Sequence, residues 1–287
     1  MKSPHEWICL EISVQPNEVD DYVTLLWDLG TTGLEEVVGN PGVTIRAFFP
    51  GVRSDQDLRR EYQNAGGKAP ARLYHVLSDP RDWVENYKKN FHGFSVGRSF
   101  YIHPSWEDGS PNYPVNLVID PGHAFGTGTH ESTQLCLMAI EELVRDVSSV
   151  ADVGTGSGIL ALAARRLNSR ALIVAIDNDW QAIEMAQENL ARNQAEGIWL
   201  ATATPGALNY RFGLVIANLA FGIFQQTAAD LARLAMTDLV ISGFTSEQAG
   251  LLADLFLAFG FRENGRWDLN GWTCLRLARI NSGILRP

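Results

Sequence analysis

The sequence lacks what a membrane-spanning or secreted chain needs. No run of about 18 apolar residues occurs, so nothing in it reads as a transmembrane helix. The opening MKSPHEWICLEIS holds no apolar stretch long enough for a secretory signal. Cysteine is scarce too. Cys9, Cys136 and Cys274 are odd in number, lie far apart in the chain and form no CxxC pair. That argues against a disulfide framework or a structural zinc site, and points to a reducing cytoplasm. No metal site is expected. Positive charge is in deficit, with 23 Lys plus Arg against 33 Asp plus Glu, a net −10. A chain of that balance is a poor holder of nucleic-acid phosphates and suits a basic partner, or a small neutral one. Internal repeats and low-complexity runs are missing as well. What is present is 287 residues, 46% hydrophobic and 20% charged, enough to bury cores in two domains.

The first segment alternates. Ile8, Leu10, Ile12 and Val14 face one way and Trp7, Cys9, Glu11 and Ser13 the other, the pattern of a strand with one buried face. Pro16 and Asn17 open a helix, with Asn17 as its expected cap and Val19, Tyr22, Val23, Leu25, Leu26 and Leu29 as its apolar stripe. Strands follow at Leu34–Val38 and Val43–Phe49. A second helix capped by Ser54 carries Leu58 and Tyr62, and a last strand spans Arg72–Leu77. The order βαββαβ predicts a small ferredoxin-like α+β domain over residues 1–78, a fold that says nothing specific about chemistry. Residues 79–105 read as a connector. Its helix places Trp83, Tyr87 and Phe91 four apart on one face, a stripe that suits packing better than ligand contact.

Residues 106–287 change character, and from about residue 130 helices alternate with apolar strands. This predicts a doubly wound, Rossmann-like α/β domain with a parallel sheet covered on both faces. Two apolar runs around Gly271 predict a terminal hairpin with an antiparallel strand.

Chemistry enters at Asp152-Val153-Gly154-Thr155-Gly156-Ser157-Gly158, where glycines follow a strand and open a helix. Gly154, Gly156 and Gly158 let backbone N–H groups approach a ligand, although three spaced glycines also make a plain tight turn. The spacing is GxGxG, because Ile159 stands where a dinucleotide fold has its third glycine. Asp177 ends the next strand, 23 residues after Gly154, where a carboxylate can accept from both ribose hydroxyls of an adenosine. Asp179 is the better cap for the helix that follows. Asn218 ends a later strand and offers a carbonyl and an amide to a cofactor or a substrate amine; Asn also ends strands routinely. Upstream, Asp120-Pro121-Gly122-His123-Ala124-Phe125-Gly126-Thr127-Gly128-Thr129-His130-Glu131-Ser132-Thr133 forms a glycine-rich loop before a helix. Phe125 can serve there as an aromatic cover, while Ser132 and Thr133 are the expected helix caps. His123 and His130 are the imidazoles nearest this loop, and both read first as packing residues.

Taken together, DPGHAFGTGTHEST, DVGTGSGILALAA, AIDNDWQAI and IANLA resemble the PrmA family. Its members use S-adenosylmethionine to methylate ribosomal protein L11. DWVENYKKNFHGFSVG and the HPSW ending at Trp106 resemble the same family's connector and the start of its catalytic domain. The resemblance implies a class I methyltransferase domain behind a substrate-recognition domain. It implies that Phe125, Thr133, Gly154, Gly156, Gly158, Asp177 and Asn218 contact the cofactor, with Asn218 and Thr133 orienting the reaction. It also implies a cytoplasmic, monomeric enzyme acting on lysine and N-terminal amines of that ribosomal protein, with no direct nucleic acid or membrane contact. Two departures stand out: Thr155 where the family tends to have a smaller residue or cysteine, and Leu219-Ala220-Phe221 after Asn218. The absence of proline after Asn218 favours an sp3 amine over a planar amide or base nitrogen as acceptor. Alternative readings are a relative that methylates another protein or a small amine, and a non-catalytic adenosine-binding assembly factor.

Overall fold

The computed structural model describes residues 5–31, 33–38, 42–50, 53–78, 92–120 and 128–280. The chain divides into two compact units, Met1–Phe91 and His92–Pro287.

In the first unit, β1 (His5–Val14) leads through a 3-10 turn (Pro16–Glu18) into α1 (Val19–Asp28). Then come β2 (Gly33–Val38), β3 (Val43–Pro50), α2 (Asp55–Asn64) and β4 (Ala71–Ser78). The strands form one antiparallel sheet in the order β2-β3-β1-β4, the expected split βαββαβ unit. Its core follows from the alternation. Ile8, Leu10, Ile12 and Val14 meet Val43, Ile45, Ala47 and Phe49, with Leu26, Leu58 and Tyr62 closing over them from the helices. The opposite face carries a polar cluster in which Glu11 accepts from Arg46 (2.8 Å) and Tyr74 (3.3 Å). Cys9 is fully buried on that face, although the pattern placed it on the open side.

Ser54 caps α2 as expected, accepting from the Asp57 N–H at 3.1 Å. Asn17 does not cap α1. Residues 16–18 are a 3-10 turn, and the helix starts at Val19 with Glu18 at its cap position. Pro16 suits the first turn because it has no N–H to leave unpaired. The stripe of Trp83, Tyr87 and Phe91 lies outside the described residues.

The second unit opens on a small sheet that the sequence pattern does not announce: β5 (Phe94–Val96), β6 (Phe100–His103) and β7 (Val115–Val118). Strands this short give too few alternations to read. There follow α3 (Glu131–Leu143), β8 (Ser149–Val153), α4 (Ile159–Leu167), β9 (Leu172–Asp177), α5 (Trp180–Arg192), β10 (Ile198–Thr202) and β11 (Phe212–Asn218). The unit is completed by α6 (Phe221–Leu234), β12 (Ala235–Thr245), α7 (Ala249–Leu257), β13 (Phe261–Leu269) and β14 (Trp272–Arg279).

The large sheet runs β10-β9-β8-β11-β12-β14-β13. Its first five strands are parallel and β14 enters antiparallel beside β12, as the hairpin expectation required. The hairpin turns on Asn270 (φ 48°) and Gly271 (φ 85°), the Asn-Gly pair that a two-residue type I′ turn favours. One face packs on α3 and α4 and the other on α6 and α7. From β8 the chain winds outward through β9 and β10, then returns to β11 on the other side of β8. That reversal opens a crevice at the carboxyl ends of β8 and β11, where open α/β sheets bind ligands. No helix of the described residues is long and apolar enough to cross a membrane.

Candidate active site

Six of the seven expected residues, all but Phe125, converge on this crevice through the elements that end there. The strand β8 is buried along its whole length, and the chain turns sharply after Val153. Gly154, Gly156 and Gly158 have φ of 73°, 54° and 80°, values that L side chains rarely adopt. The Gly154 and Thr155 N–H groups bond the Ile176 carbonyl at 2.9 Å, tying the loop to the end of β9.

Asp177 reaches back from β9. One carboxylate oxygen accepts from the Gly156 N–H at 2.9 Å, and the other accepts from the Asp179 N–H at 3.1 Å. A carboxylate offers about four lone-pair sites, so it retains acceptor capacity for a ligand's hydroxyls. Asp179 caps α5 as expected, accepting from the Gln181 N–H at 2.9 Å.

Asn218 ends β11 on the other side of the crevice. Its amide Nδ2 donates to the Thr133 hydroxyl at 3.1 Å, which brings together the two residues singled out for orientation. Thr133 sits in the first turn of α3 and is almost completely buried. With Nδ2 engaged, the Asn218 carbonyl oxygen is buried without a hydrogen-bond partner among the described residues. An orphaned buried acceptor costs about 1–3 kcal/mol unless something binds it, which marks a place for a donor.

Three residues that build the site escape the motif reading. Asp152 is one, completely buried in β8 beneath the glycine loop. One of its oxygens accepts from the Thr155 hydroxyl (2.6 Å) and the Ala161 N–H (3.1 Å), bracing the loop against the start of α4; the other has no partner. Burial pushes its carboxyl up to about 6, the donors pull against that rise, and the charge of Asp177 adds to it. A charged residue in an otherwise apolar strand was the available signal.

His130 is the second. It caps α3, its Nδ1 accepting from the Ser132 N–H at 3.2 Å and pairing with the Ser132 hydroxyl at 2.8 Å. The cap is therefore His130 rather than Ser132 or Thr133, which lie inside the first turn. Its ring packs edge-on against Trp272 at 4.5 Å, so the terminal hairpin steadies the helix that carries Thr133.

Gly243 is the third, at a register shift in β12 with φ 95°. A Cβ there would lie 2.3 Å from the Leu219 carbonyl oxygen and 3.0 Å from the free Asn218 oxygen. Only glycine lets β12 pass this close to the strand end.

Phe125 and His123 lie outside the described residues, but both flanks of their loop are anchored. Asp120 accepts from the Ser105 N–H (2.7 Å) and meets Arg192 at 3.2 Å, and Gly128 sits tightly against Ile102 and Ile159. Among the described residues, no group of three or more His, Cys, Asp and Glu is placed to hold a metal ion.

The family model for ribosomal protein L11 methyltransferase (PrmA) matches residues 6–279. The chain belongs to this family. A ribosomal protein L11 methyltransferase of Geobacter metallireducens is 36% identical over 260 residues, covering 86% of each chain. One of Pelobacter propionicus is 35% identical over 278 residues, covering 86% of this chain and 89% of that one. The crystal structure of a ribosomal protein L11 methylase from Lactobacillus delbrueckii subsp. bulgaricus aligns with a TM-score of 0.60 at 29% identity. It covers 66% of this chain and 98% of that one. Within the PrmA family's sheet, the crevice between β8 and β11 is where this chain gathers its glycine loop, its carboxylates and its open amide oxygen.

Proposed function

We propose that this chain transfers methyl groups from S-adenosylmethionine to lysine and N-terminal amines of ribosomal protein L11. The observation that carries the reading is the Asn218 carbonyl. It is buried, held by Thr133 and left without a partner beside the glycine loop.

The residues fit this methyl donor rather than a dinucleotide. Asp152 and Asp177 put two carboxylates at the loop, and among the described residues neither is paired with a basic side chain. Such a site attracts a cationic ligand and repels a pyrophosphate. When bound, S-adenosylmethionine supplies a methyl group on a sulfonium, an electrophile needing no further activation.

The work left to the chain is alignment. Asp177 would accept from the ribose hydroxyls, and Gly154, Gly156 and Gly158 would let the loop's N–H groups approach the cofactor with no Cβ of their own. Phe125 is the residue that would serve as its aromatic cover. The Asn218 carbonyl accepts an N–H from the substrate amine, and Thr133 fixes the amide so that the carbonyl cannot rotate away. A free lysine has a pKa near 10.4, so about one in several thousand is neutral at pH 7. Burial against these groups disfavours the ammonium and raises that fraction. The proton leaves to water before transfer, and no strong base is required. His130 is occupied as a helix cap through Nδ1, which suits a positioning role.

In the same reading residues 1–78 recognise the substrate, the connector ends before His92, and the second unit, His92–Pro287, catalyses. The enzyme works in the cytoplasm as a monomer, on the protein itself and without direct nucleic acid contact. Three free buried cysteines and the −10 charge support that setting and a lysine-rich target. Incubating purified ribosomal protein L11 with labelled S-adenosylmethionine and the enzyme should place label on lysines. Removing residues 1–78 should leave cofactor binding intact and abolish that label. No label from an enzyme that demonstrably binds the cofactor removes the substrate assignment, and full labelling by the truncated enzyme removes the recognition role.

A further inference from the structure

The opposite edge of the large sheet holds a shallow, open hollow of about 410 Å³ lined by Arg211, Ala229, Ala232, Arg233, Phe259 and Arg279. It lies at the amino end of β11, whose carboxyl end carries Asn218. Seven strand residues separate the two, roughly 20 Å at about 3.3 Å per residue. It is a different place from the site described above.

Three arginines line one hollow in a chain of net charge −10. Two are fixed by the backbone. Arg279 lies over the Phe261 ring at 4.5 Å and donates through Nε and Nη2 to the Ala232 and Ala235 carbonyls at the end of α6. Its Nη1 donors have no partner among the described residues. Arg233 donates to the Leu208 (2.7 Å) and Pro205 (3.1 Å) carbonyls and pairs with Asp230 at 3.3 Å. Asp230 is the one carboxylate paired with any of the three among the described residues. Arg211 is exposed and has neither a hydrogen bond nor an ion pair there. Burial, and after it the charge of Arg211, hold the Arg279 guanidinium below its ordinary value. Phe259, 38% exposed, offers an aromatic surface on the same cavity.

Two anchored guanidinia, a free one and an aromatic face are the parts that recognise a phosphate attached to a planar group. We propose that this cavity is a second binding site for a small phosphate monoester of the nucleoside monophosphate class. Phosphate sits between Arg211 and Arg279, and the base lies against Phe259. Arg211 is the decisive residue, because it has no other work in the fold.

The test is calorimetric titration of the full chain with inorganic phosphate and with uridine 5′-monophosphate, which carries no adenine to enter the cofactor crevice. Both should bind saturably, and Arg211→Ser should weaken both by about tenfold, the loss of one charged hydrogen-bonding partner. Phe259→Ala should weaken the nucleotide alone, by about threefold to tenfold. S-adenosylhomocysteine binding should stay unchanged in both variants, which also reports that they are folded. Equal phosphate affinity in Arg211→Ser and wild type overturns the proposal, as does no saturable binding up to about 10 mM. A uridine oligonucleotide lacking a terminal phosphate that binds as tightly as the monophosphate also overturns it, since that marks a polyanion surface.

Discussion

The two edges of one parallel sheet carry opposite chemistry in this molecule. At the carboxyl edge the strands end in acceptors: Asp177 after β9, Asn218 after β11, and Asp152 just below the glycine loop. At the amino edge the chain gathers Arg211, Arg233 and Arg279. The backbone accounts for part of this. Strand ends that turn into helix N-termini present N–H groups, which are held by carboxylates, as Asp152 holds Ala161 and Asp177 holds Gly156. At the other edge α6 ends with open carbonyls that Arg279 satisfies, and Arg233 satisfies carbonyls of the connection between β10 and β11. The lesson lies in what is left over. The carboxyl edge keeps a spare acceptor on Asn218, and the amino edge keeps a spare donor set on Arg211 and Arg279.

The strongest way to break this contrast is to remove the room around the spare acceptor. In Gly243→Ala the new methyl group meets the Leu219 carbonyl and crowds the Asn218 oxygen, at a φ of 95° that alanine tolerates poorly. Turnover on the protein substrate should fall by about a hundredfold or more, the usual cost of displacing an aligned group by an ångström. The dissociation constant for S-adenosylhomocysteine should move much less, because the glycine loop and Asp177 are untouched. A variant with normal kcat would show that Asn218 is not aligned by this contact. Next in size is Asp177→Ala, which removes the proposed ribose acceptor together with its grip on the Gly156 N–H. Cofactor binding should weaken by about 1.5–3 kcal/mol, the scale of hydrogen bonds to a charged group. An unchanged dissociation constant in the same titration refutes the ribose role.

Those two predictions also mark what the sequence could disclose. Asp177, Gly154, Gly156, Gly158 and Asn218 stand at strand ends in a regular alternation of strand and helix, and that regularity placed them correctly on the fold. The pairing of Asn218 with Thr133 across 85 residues is a tertiary fact that no period reveals. Gly243 sits inside a long strand and looks like any other glycine until the register shift brings Leu219 against it. His130 displaced Ser132 and Thr133 as the cap because an imidazole nitrogen can accept where a hydroxyl or carboxylate is expected, a choice local statistics do not favour. Cys136 and Cys274 are far apart in sequence, yet their thiols meet in the core, where burial raises the Cys274 pKa and keeps it an inert, packed group. The first unit was legible almost throughout, because one alternating strand and two amphipathic helices dictate its core.

The smallest expected effect on turnover sharpens the contrast most finely, because it concerns the charge buried beneath the carboxyl edge. Asp152 has no exposed surface and a carboxyl raised to about 6 from an ordinary value of 3.8. Between those values the native chain holds a proton that the unfolded chain has released. Its contribution to stability is therefore fully present below about pH 4 and is lost as pH rises through about 6. Asp152→Asn cannot titrate, so wild type minus variant stability, from denaturant melts, should fall by on the order of 1–3 kcal/mol between pH 4 and 7 and stay flat above. A difference independent of pH would mean that Asp152 is ionised throughout. Thr155 and Ala161 can still donate to the Asn carbonyl, so turnover should change by no more than a few fold. The same carboxylate should make the cationic methyl donor bind more weakly below pH 6 than above it, and the uncharged thioether product much less so. That difference separates a carboxylate serving the ligand's charge from one that only braces the loop.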